Sequence, residues 1–186
     1  MFTGIVQAVG RIVRTNPLEI DVAGLDLADV AVGDSICVQG VCLTATAIRP
    51  RGFTADVSAE TLRVTTGLER PGAVNLEKSL ALGGKIGGHL VTGHVDGVGE
   101  VLKFAHGFLQ VRMPKELVRY VARKGSICID GVSLTVNGVG GDVFEVNLIP
   151  HTLEVTTLSR LASGVRVNLE VDLIARYVER MLPGSG

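Results

Sequence analysis

The sequence is poor in the features that mark several common protein classes. It has no tryptophan and only seven aromatic residues among 186, and its 18 Lys and Arg nearly balance 19 Asp and Glu. A net charge of −1 without a basic arm argues against a nucleic-acid surface, which needs clustered positive charge. No stretch approaches the roughly 18 apolar residues of a membrane span, and the N-terminus lacks the pattern of a secretion signal. We therefore expect a cytoplasmic protein that binds neither nucleic acid nor membrane.

Cysteine is also scarce. Cys37, Cys42 and Cys128 cannot all pair within one chain, and none belongs to a CxxC pair or a Cys/His cluster at metal-ligand spacing. The HExxH, GxSxG and P-loop motifs are absent as well. The sequence thus predicts reduced thiols and gives no support for a metalloprotease, a serine hydrolase, a zinc module or a P-loop phosphate site.

Glycine, in contrast, is abundant, with 24 residues, and it accompanies an internal repeat. Residues 35–66 align without a gap with residues 126–157, and 13 of these 32 positions are identical. The flanks repeat with small shifts: TGIV against TGHV near the start of each copy, and VNLE in both copies near the end. A repeat of this length predicts two similar domains, residues 1–89 and residues 90–186.

Within a copy, short Val/Ile/Thr-rich runs separated by glycine predict β-strands, for example at 5–13, 35–38, 43–48 and 53–57. Such spacing is typical of a small antiparallel barrel or sandwich, and closure into a barrel removes exposed strand edges. We expect short helical turns at 59–63 and after Pro150.

Two segments depart from this pattern. Asp172 can cap a helix whose apolar residues recur at helical spacing as far as Leu182, before Pro183 and Gly184 end it. A helix this short needs a docking surface, either on its own barrels or on a neighbouring subunit. The glycine-dense segment 83–89 fits either a linker or a close backbone approach to a ligand.

Differences between the copies mark the positions where their chemistry diverges. The aligned pairs that differ in reactive side chains are Gln39 and Asp130, Cys42 and Ser133, Ile5 and His94, and Glu60 and His151. Two similar pockets that carry unequal reactive groups predict two like ligands in unequal roles.

Each candidate also has a purely structural interpretation. Cys42 can be a nucleophile or, like Cys37 and Cys128, a small buried hydrophobe. His94 can transfer protons or serve as a structural histidine. Asp130 and the nearby Ser133 can orient a ligand or simply form a turn. The residues by themselves therefore support a duplicated β protein that handles two like small molecules.

The motifs MFTGIV, GVCLT, DGVSLT, GGHLVTGHVDG, the paired ETL and HTL, and VNLE occur in order and cover nearly the whole chain. In this combination the sequence closely resembles riboflavin synthase of the alpha-chain type. The resemblance implies two tandem, pseudo-symmetric Greek-key β-barrels followed by a short C-terminal α-helix. It also implies a dismutation, the last step of riboflavin biosynthesis: two molecules of 6,7-dimethyl-8-ribityllumazine give riboflavin and 5-amino-6-ribitylaminouracil. Neither a metal nor a redox cofactor is implied.

The resemblance further implies a homotrimer formed through the C-terminal helix. Its active site would lie between the N-terminal barrel of one subunit and the C-terminal barrel of the next. Association with lumazine synthase is left open. A non-catalytic lumazine protein, a fluorescent antenna of the same fold, is the alternative function.

Two substrate pockets follow from the resemblance. The residues expected in the N-terminal pocket are Phe2, Gly4, Ile5, Val6, Ser35, Cys42, Leu43, Thr44, Asp56, Val57, Ser58, Ala59, Glu60 and Thr61. Those expected in the second pocket are Gly93, His94, Val95, Lys124, Ser133, Leu134, Thr135, Asn147, Leu148, Ile149, Pro150, His151 and Thr152, where His151 replaces an expected glutamate.

The expected catalytic residues divide between the two lumazines. His94, supported by Ser133 and Thr135, would assist deprotonation of the acidic 7-methyl group. Cys42 and Ser35 would act on carbon 7 of the other lumazine, and the reactive set is completed by Asp130.

Overall fold

The computed structural model describes residues 1–182 and forms two closed, six-stranded antiparallel barrels followed by a helix. The N-terminal barrel has the strand order β1-β2-β5-β4-β3-β6. Its strands are β1 (Ala8–Thr15), β2 (Leu18–Val22), β3 (Ser35–Val38), β4 (Val41–Arg49), β5 (Gly52–Ala55) and β6 (Gly72–Lys78). Strands β2 and β5, and β3 and β6, pair without being consecutive, as in a Greek key.

The C-terminal barrel repeats this order as β7-β8-β11-β10-β9-β12 around a closed ring. Its strands are β7 (Gly97–Ala105), β8 (Phe108–Arg112), β9 (Ser126–Ile129), β10 (Val132–Gly140), β11 (Val143–Asn147) and β12 (Arg166–Val171). The prediction of two tandem barrels is confirmed, and the sandwich alternative is excluded. The boundary predicted between residues 89 and 90 falls in the connection from β6 to β7 and stays a prediction.

Three of the four strands predicted in the first copy have different bounds. The first strand covers Ala8–Thr15 rather than 5–13, because Gly4 and Val6 contact the C-terminal barrel, as described below. Strand β4 extends beyond the predicted 43–48 at both ends. Strand β5 ends at Ala55, two residues early, since Ser58 caps the helix that follows.

Helices are few and short. The predicted turns form α1 (Ala59–Val64) and α2 (Pro150–Val155), and 3₁₀ helices cover Lys115–Tyr120 and Thr157–Arg160. The C-terminal helix α3 (Leu173–Met181) begins as predicted, because the Asp172 side chain accepts a hydrogen bond from the N–H of Ile174 at 3.0 Å. The predicted stop at Pro183 and Gly184 lies outside the described residues. None of the helices in residues 1–182 is long and apolar enough to cross a membrane.

Each barrel encloses its own apolar core, and a polar contact joins the two barrels. The side chains of Asn75 and Asn168 are almost completely buried in this contact. Asn75 Oδ1 accepts from the N–H of Thr157, and Asn168 Oδ1 accepts from the N–H of Thr66, both at 2.8 Å. Because buried amides must find such partners, this reciprocal pair fixes the relative placement of the barrels.

Candidate active site

The segments 3–6 and 92–95 each lie against the opposite barrel. The Gly4 carbonyl accepts from the N–H of Ser133, and the Gly93 carbonyl accepts from the N–H of Cys42, both at 2.8 Å. Beyond these bonds, Val6 packs on the core of the C-terminal barrel.

Val95 makes the reciprocal contact, with the core of the N-terminal barrel. The resemblance predicted that each segment would lie beside the strands of its own copy. The structure instead joins His94 to the Cys42 strand and Ile5 to the Ser133 strand, because the barrels exchange these segments.

Glycine is required at both crossings. Gly4 and Gly93 have φ angles of +73° and +78°, which side chains rarely adopt. A Cβ atom at Gly4 would lie 2.6 Å from Ser133 Cβ, and one at Gly93 would lie 2.6 Å from Cys42 Cβ. The TG pair of each copy therefore permits a backbone approach that other residues would block.

A buried carboxylate holds each crossing in place. Glu77 accepts hydrogen bonds from the N–H of Thr3 (2.7 Å), the Thr3 hydroxyl (2.8 Å) and the N–H of Gly4 (3.0 Å). Burial raises the pKa of the Glu77 carboxyl, and the three hydrogen bonds oppose this shift. Glu77, the last residue of the VNLE motif, thus holds the Thr3–Gly4 turn in place. The repeat identified the motif in the sequence but did not show this function.

The predicted hydroxyl and thiol groups follow the outer faces of two strand pairs. In the N-terminal barrel, Thr44 pairs with Ser35 and Cys42 pairs with Cys37. Cys42 is half-buried and Thr44 is exposed, so this strip opens from the barrel contact towards solvent. Leu43, between them, points into the core, so its side chain is not available to a ligand.

The C-terminal barrel presents the equivalent strip. Thr135 pairs with Ser126, and Ser133 pairs with Cys128. Ser133 is half-buried and Thr135 is exposed. The side chains of Leu134 and Leu148, both predicted in the second pocket, belong to the core. The remaining predicted contacts of these two leucines are therefore restricted to their backbone groups.

Burial separates the three thiols. Cys37 and Cys128 are 2% and 1% exposed and form a small apolar cluster with Phe2 and Val91 at the barrel contact. Burial raises the pKa of both thiols well above its ordinary value. These two cysteines are the buried hydrophobes expected from the sequence, whereas Cys42 is a free, half-buried thiol on the strip.

His89 was not identified from the sequence. Its Nδ1 lies 2.7 Å from the Ser133 hydroxyl, and its Nε2 is buried without a partner among the described residues. Burial lowers the pKa of this imidazole, and nearby Asp172 opposes the shift. A Cβ at Gly88 would lie 2.6 Å from Ser133 Cβ. At its C-terminal end, the segment 83–89 therefore lies close to the protein's own Thr3 and Ser133. The expected approach to a ligand stays a prediction, and the sequence gave no sign that His89 would contact Ser133.

The predicted loops lie beside these strips. Asp56 follows Ala55, which pairs with Ala45, so register brings Asp56 next to Thr44. In the same way Asn147 adjoins Thr135 at the end of β11. The remaining predicted residues of these loops occupy or precede the first turns of α1 and α2: Val57, Ser58, Ala59, Glu60 and Thr61, and Ile149, Pro150, His151 and Thr152.

Several of these loop side chains are already occupied or differ between the copies. Glu60 forms an exposed ion pair with Arg63 at 2.6 Å, and the Arg63 hydrogen bonds hold the pKa of its carboxyl below the ordinary value. His151 is exposed on the equivalent turn. Lys124 is exposed too, and its N–H donates to the Val136 carbonyl at 2.8 Å.

Asp130 occupies a different place from the strips. It is 4% exposed, has a φ of +50°, and its carboxylate accepts from the N–H of Asn168 at 2.8 Å. Burial raises the pKa of Asp130 to about 7, against hydrogen bonds from Asn168 and Gln39. The structure thus places this carboxyl in the contact between the barrels, where it lines a cleft of about 260 Å³.

A larger cleft, of about 450 Å³, opens beside Ile5. It lies between the end of β6 and the segment 79–87 and includes Thr3, Gln7 and Glu77 in its walls. Its volume falls in the range of small-molecule sites. Within residues 1–182, no group of three or more His, Cys, Asp and Glu side chains is arranged to hold a metal ion.

Comparison with known proteins agrees with this duplicated geometry. The family model described as the lumazine binding domain matches the chain twice, at residues 3–79 and 92–172. Riboflavin synthase of Mycobacterium tuberculosis (strain ATCC 25618 / H37Rv) is 50% identical over 202 residues, covering 100% of both chains. The chain belongs to the riboflavin synthase family.

Other members of the riboflavin synthase family match over similar lengths. The enzyme of Photobacterium leiognathi is 42% identical, over 98% of this chain and 89% of its own. That of Bacillus subtilis (strain 168) is 39% identical, over 98% and 90%. Among solved structures, LumP complexed with 6,7-dimethyl-8-(1'-D-ribityl) lumazine superposes with a TM-score of 0.77 at 27% identity, covering 92% of this chain and 99% of LumP. LumP complexed with riboflavin gives a TM-score of 0.77 at 28% identity over the same shares.

Proposed function

We propose that this protein is a riboflavin synthase, which converts two molecules of 6,7-dimethyl-8-ribityllumazine into riboflavin and 5-amino-6-ribitylaminouracil. One lumazine donates a four-carbon unit and the other accepts it. Relatives of that name match 98–100% of the chain at 39–50% identity, so the proposal does not depend on one short motif.

The exchanged segments are the observation that carries the proposal. They form two sites of similar backbone structure. Each site combines the outer face of one strand pair with a TG turn from the other copy, but the two sites carry different reactive groups. One site combines Cys42 with His94, and the other combines Ser133 with Ile5. A reaction that consumes two identical molecules in unequal roles needs this combination of like shape and unlike chemistry.

In the first site, the exposed imidazole of His94 accepts or returns a proton, because imidazole is suited to proton transfer near neutral pH. The proton comes from the 7-methyl group, whose carbanion delocalises into the electron-poor ring. Cys42 and Ser35 border the same strip, where a thiol or hydroxyl can act at carbon 7 of a lumazine. Phe2, which is fully buried against Val91, supports the strip from behind rather than contacting a ligand.

In the second site, the hydroxyls of Ser133 and Thr135 bind or polarise the partner lumazine. His89 fixes the Ser133 hydroxyl through its Nδ1, so the orientation of this hydroxyl is set by the fold. Stacking two rings in register supplies a large share of the rate acceleration, since orientation can contribute roughly 7–11 kcal/mol.

The complete active site forms where the Cys42–His94 site of one subunit faces the Ser133–Thr135 site of the next, in a homotrimer. Helix α3 supports this assembly, because Ile174, Tyr177, Val178 and Met181 are 52–83% exposed on the isolated chain. Its apolar side needs cover. The proposal also places the protein in the cytoplasm, consistent with three free cysteines, and leaves assembly with lumazine synthase open.

A binding-only antenna is the alternative, and the comparisons favour it less. LumP shares 27–28% identity with this chain, well below the named synthases. The direct test incubates the purified protein with 6,7-dimethyl-8-ribityllumazine and follows flavin absorbance and product composition by chromatography. We expect one riboflavin for every two lumazines consumed, whereas tight binding without flavin formation would support the antenna.

A further inference from the structure

The segment that carries His94 is held by β12. The Glu170 carboxylate accepts from the N–H of Thr92 (2.6 Å), the Thr92 hydroxyl (2.7 Å) and the N–H of Gly93 (2.9 Å). Glu170 is 3% exposed, and burial raises the pKa of its carboxyl. Three hydrogen bonds to one buried acceptor leave the turn little freedom to move.

A second contact holds the other end of the same segment. Asp96 Oδ2 accepts from the N–H of Val171 at 2.8 Å, and Oδ1 forms an ion pair with Arg176 of α3. His94 thus lies between two points that are tied to the junction of β12 and α3.

The side chain of His94 has no comparable support of its own. The side chain is exposed, and only the backbone N–H of His94 donates to the Thr92 hydroxyl, at 3.3 Å. That hydroxyl is the one bound by Glu170. The position of the imidazole therefore depends on the backbone turn, and the turn depends on the carboxylate.

We propose that Glu170 is a positioning residue of the reaction, which fixes His94 against the Cys42 strand by holding the Thr92–Gly93 turn. The inference rests on the proposed function, in which His94 transfers a proton. Glu170 itself touches neither substrate nor the reacting atoms.

The duplication supplies a matched control. Glu77 makes the same three bonds to Thr3 and Gly4, but the residue that follows its turn is Ile5. Loss of either carboxylate removes the same local structure. Only Glu170 holds the turn that precedes His94, whereas the Glu77 turn contacts His89 and Ser133.

The test compares Glu170→Gln with Glu77→Gln. A glutamine has one acceptor and places its NH₂ group against an N–H donor, so each variant disturbs its turn in the same way. We expect similar losses of thermal stability. For Glu170→Gln we expect kcat to fall by about 10- to 100-fold with KM changed less than about threefold, because a displacement near 1 Å can cost two orders of magnitude. Glu77→Gln disturbs the turn of the Ser133 site, so we expect it to raise the KM for the lumazine, with a smaller fall in kcat than in Glu170→Gln.

A second measurement does not depend on turnover. The Cε1–H resonance of His94, identified by its absence in His94→Ala, should shift or broaden in Glu170→Gln and stay in place in Glu77→Gln. Equal losses of kcat in the two glutamine variants, or an unmoved His94 resonance in Glu170→Gln, would overturn the inference. If Glu170→Gln does not fold, Thr92→Val removes one of the three bonds and should show the same effects in smaller measure; an unmoved resonance there would count against it equally.

Failure of the underlying function gives a different result. Full turnover by His94→Ala would remove the imidazole from the reaction, while the resonance experiment would still report whether Glu170 positions it.

Discussion

The carbonyl oxygen of Gly93 accepts a hydrogen bond from the N–H of Cys42 at 2.8 Å, which seats the turn before His94 on a strand of the other barrel. The backbone on either side of the proposed site is thereby joined, although Cys42 and His94 are 52 residues apart in sequence and belong to different copies of the repeat.

Replacement of these two side chains tests their roles. We expect His94→Ala to lower kcat by about 100-fold or more, the usual contribution of a positioned acid or base. Cys42→Ser should retain more activity than Cys42→Ala, since a hydroxyl can take over part of the role of the thiol. Stopped-flow absorbance with lumazine measures turnover, and lumazine fluorescence measures binding. Full turnover by Cys42→Ala would exclude the thiol, as full turnover by His94→Ala would exclude the imidazole.

The close contact between Gly93 and the Cys42 strand can be disrupted by adding one methyl group. Gly93→Ala places a Cβ 2.6 Å from Cys42 Cβ on a backbone with φ of +78°. We expect a loss of about 1–3 kcal/mol in the free energy of unfolding together with a large fall in turnover. Gly140→Ala is the control, because Gly140 is exposed and has no neighbouring atom within 4 Å of the added group. Urea denaturation curves measure both variants, and equal stability would show that the close approach is unimportant.

The contact between His89 and Ser133 should affect both activity and pH dependence. We expect His89→Ala to lower turnover by about tenfold, because the Ser133 hydroxyl loses its partner, and His89→Gln to recover part of this loss. Burial lowers the pKa of His89 from its ordinary value of 6.5. Its contribution to stability is therefore present above pH 6.5 and is lost as the pH falls through the lowered folded-state pKa.

The pH dependence of His89 is checked by thermal unfolding between pH 5 and 8. The wild-type protein should lose more stability than His89→Gln on acidification. Parallel curves for the two proteins would contradict the assignment.

Asp130 should affect the free energy of unfolding in the opposite direction from His89 as the pH rises. Burial raises its pKa from 3.8 to about 7, so between these values the folded carboxyl keeps a proton that the unfolded chain releases. The free energy of unfolding should fall as the pH rises through this window, by up to about 1.4 kcal/mol per pH unit. Asp130→Asn lacks the titrating group, and its stability relative to wild type should therefore rise from pH 4 to pH 7.

Denaturant titrations at several pH values measure the Asp130 effect. Asp21→Asn, an exposed carboxyl on β2, is the matched control and should follow the wild type. A constant difference between Asp130→Asn and wild type across this range would show that Asp130 is ionised throughout in the folded protein.

The apolar side of α3 can be tested apart from the barrels. Ile174 is 62% exposed, and Ile174→Asp would place a charge in the proposed subunit contact. We expect the variant to move from trimer to monomer in light scattering, to keep its circular dichroism spectrum and to lose turnover. Ser163→Asp, on an exposed loop, should remain trimeric. An active, trimeric Ile174→Asp protein would place the contact elsewhere.

The sequence was sufficient for much of this picture because the repeat is strongly preserved. The offset of 91 residues relates β3, β4 and α1 to β9, β10 and α2 without a shift. Asp172 capped its helix as predicted, since a cap depends on local sequence.

What the sequence did not predict are contacts between residues far apart. A repeat shows which residues are equivalent but not which ones touch, so Gly93 was expected beside the Ser133 strand, whereas its carbonyl accepts from Cys42. His89 follows two glycines and belongs to no recognisable motif. Its role depends on Ser133, which is 44 positions away in sequence. Asp130 and Gly131 look like an ordinary Asp-Gly turn in the sequence. Only the fold shows that Asp130 is buried in the contact with the other barrel.

The exchanged TG segments also bear on the origin of the chain. A polypeptide with a single repeat would leave its TG segment without a strand to rest on, unless a second identical molecule offered one. Such a pair would be related by a two-fold axis, with each contact made twice. In a single chain the two copies of each contact are separate positions and can carry different residues, as Cys42 and Ser133 do, and His94 and Ile5.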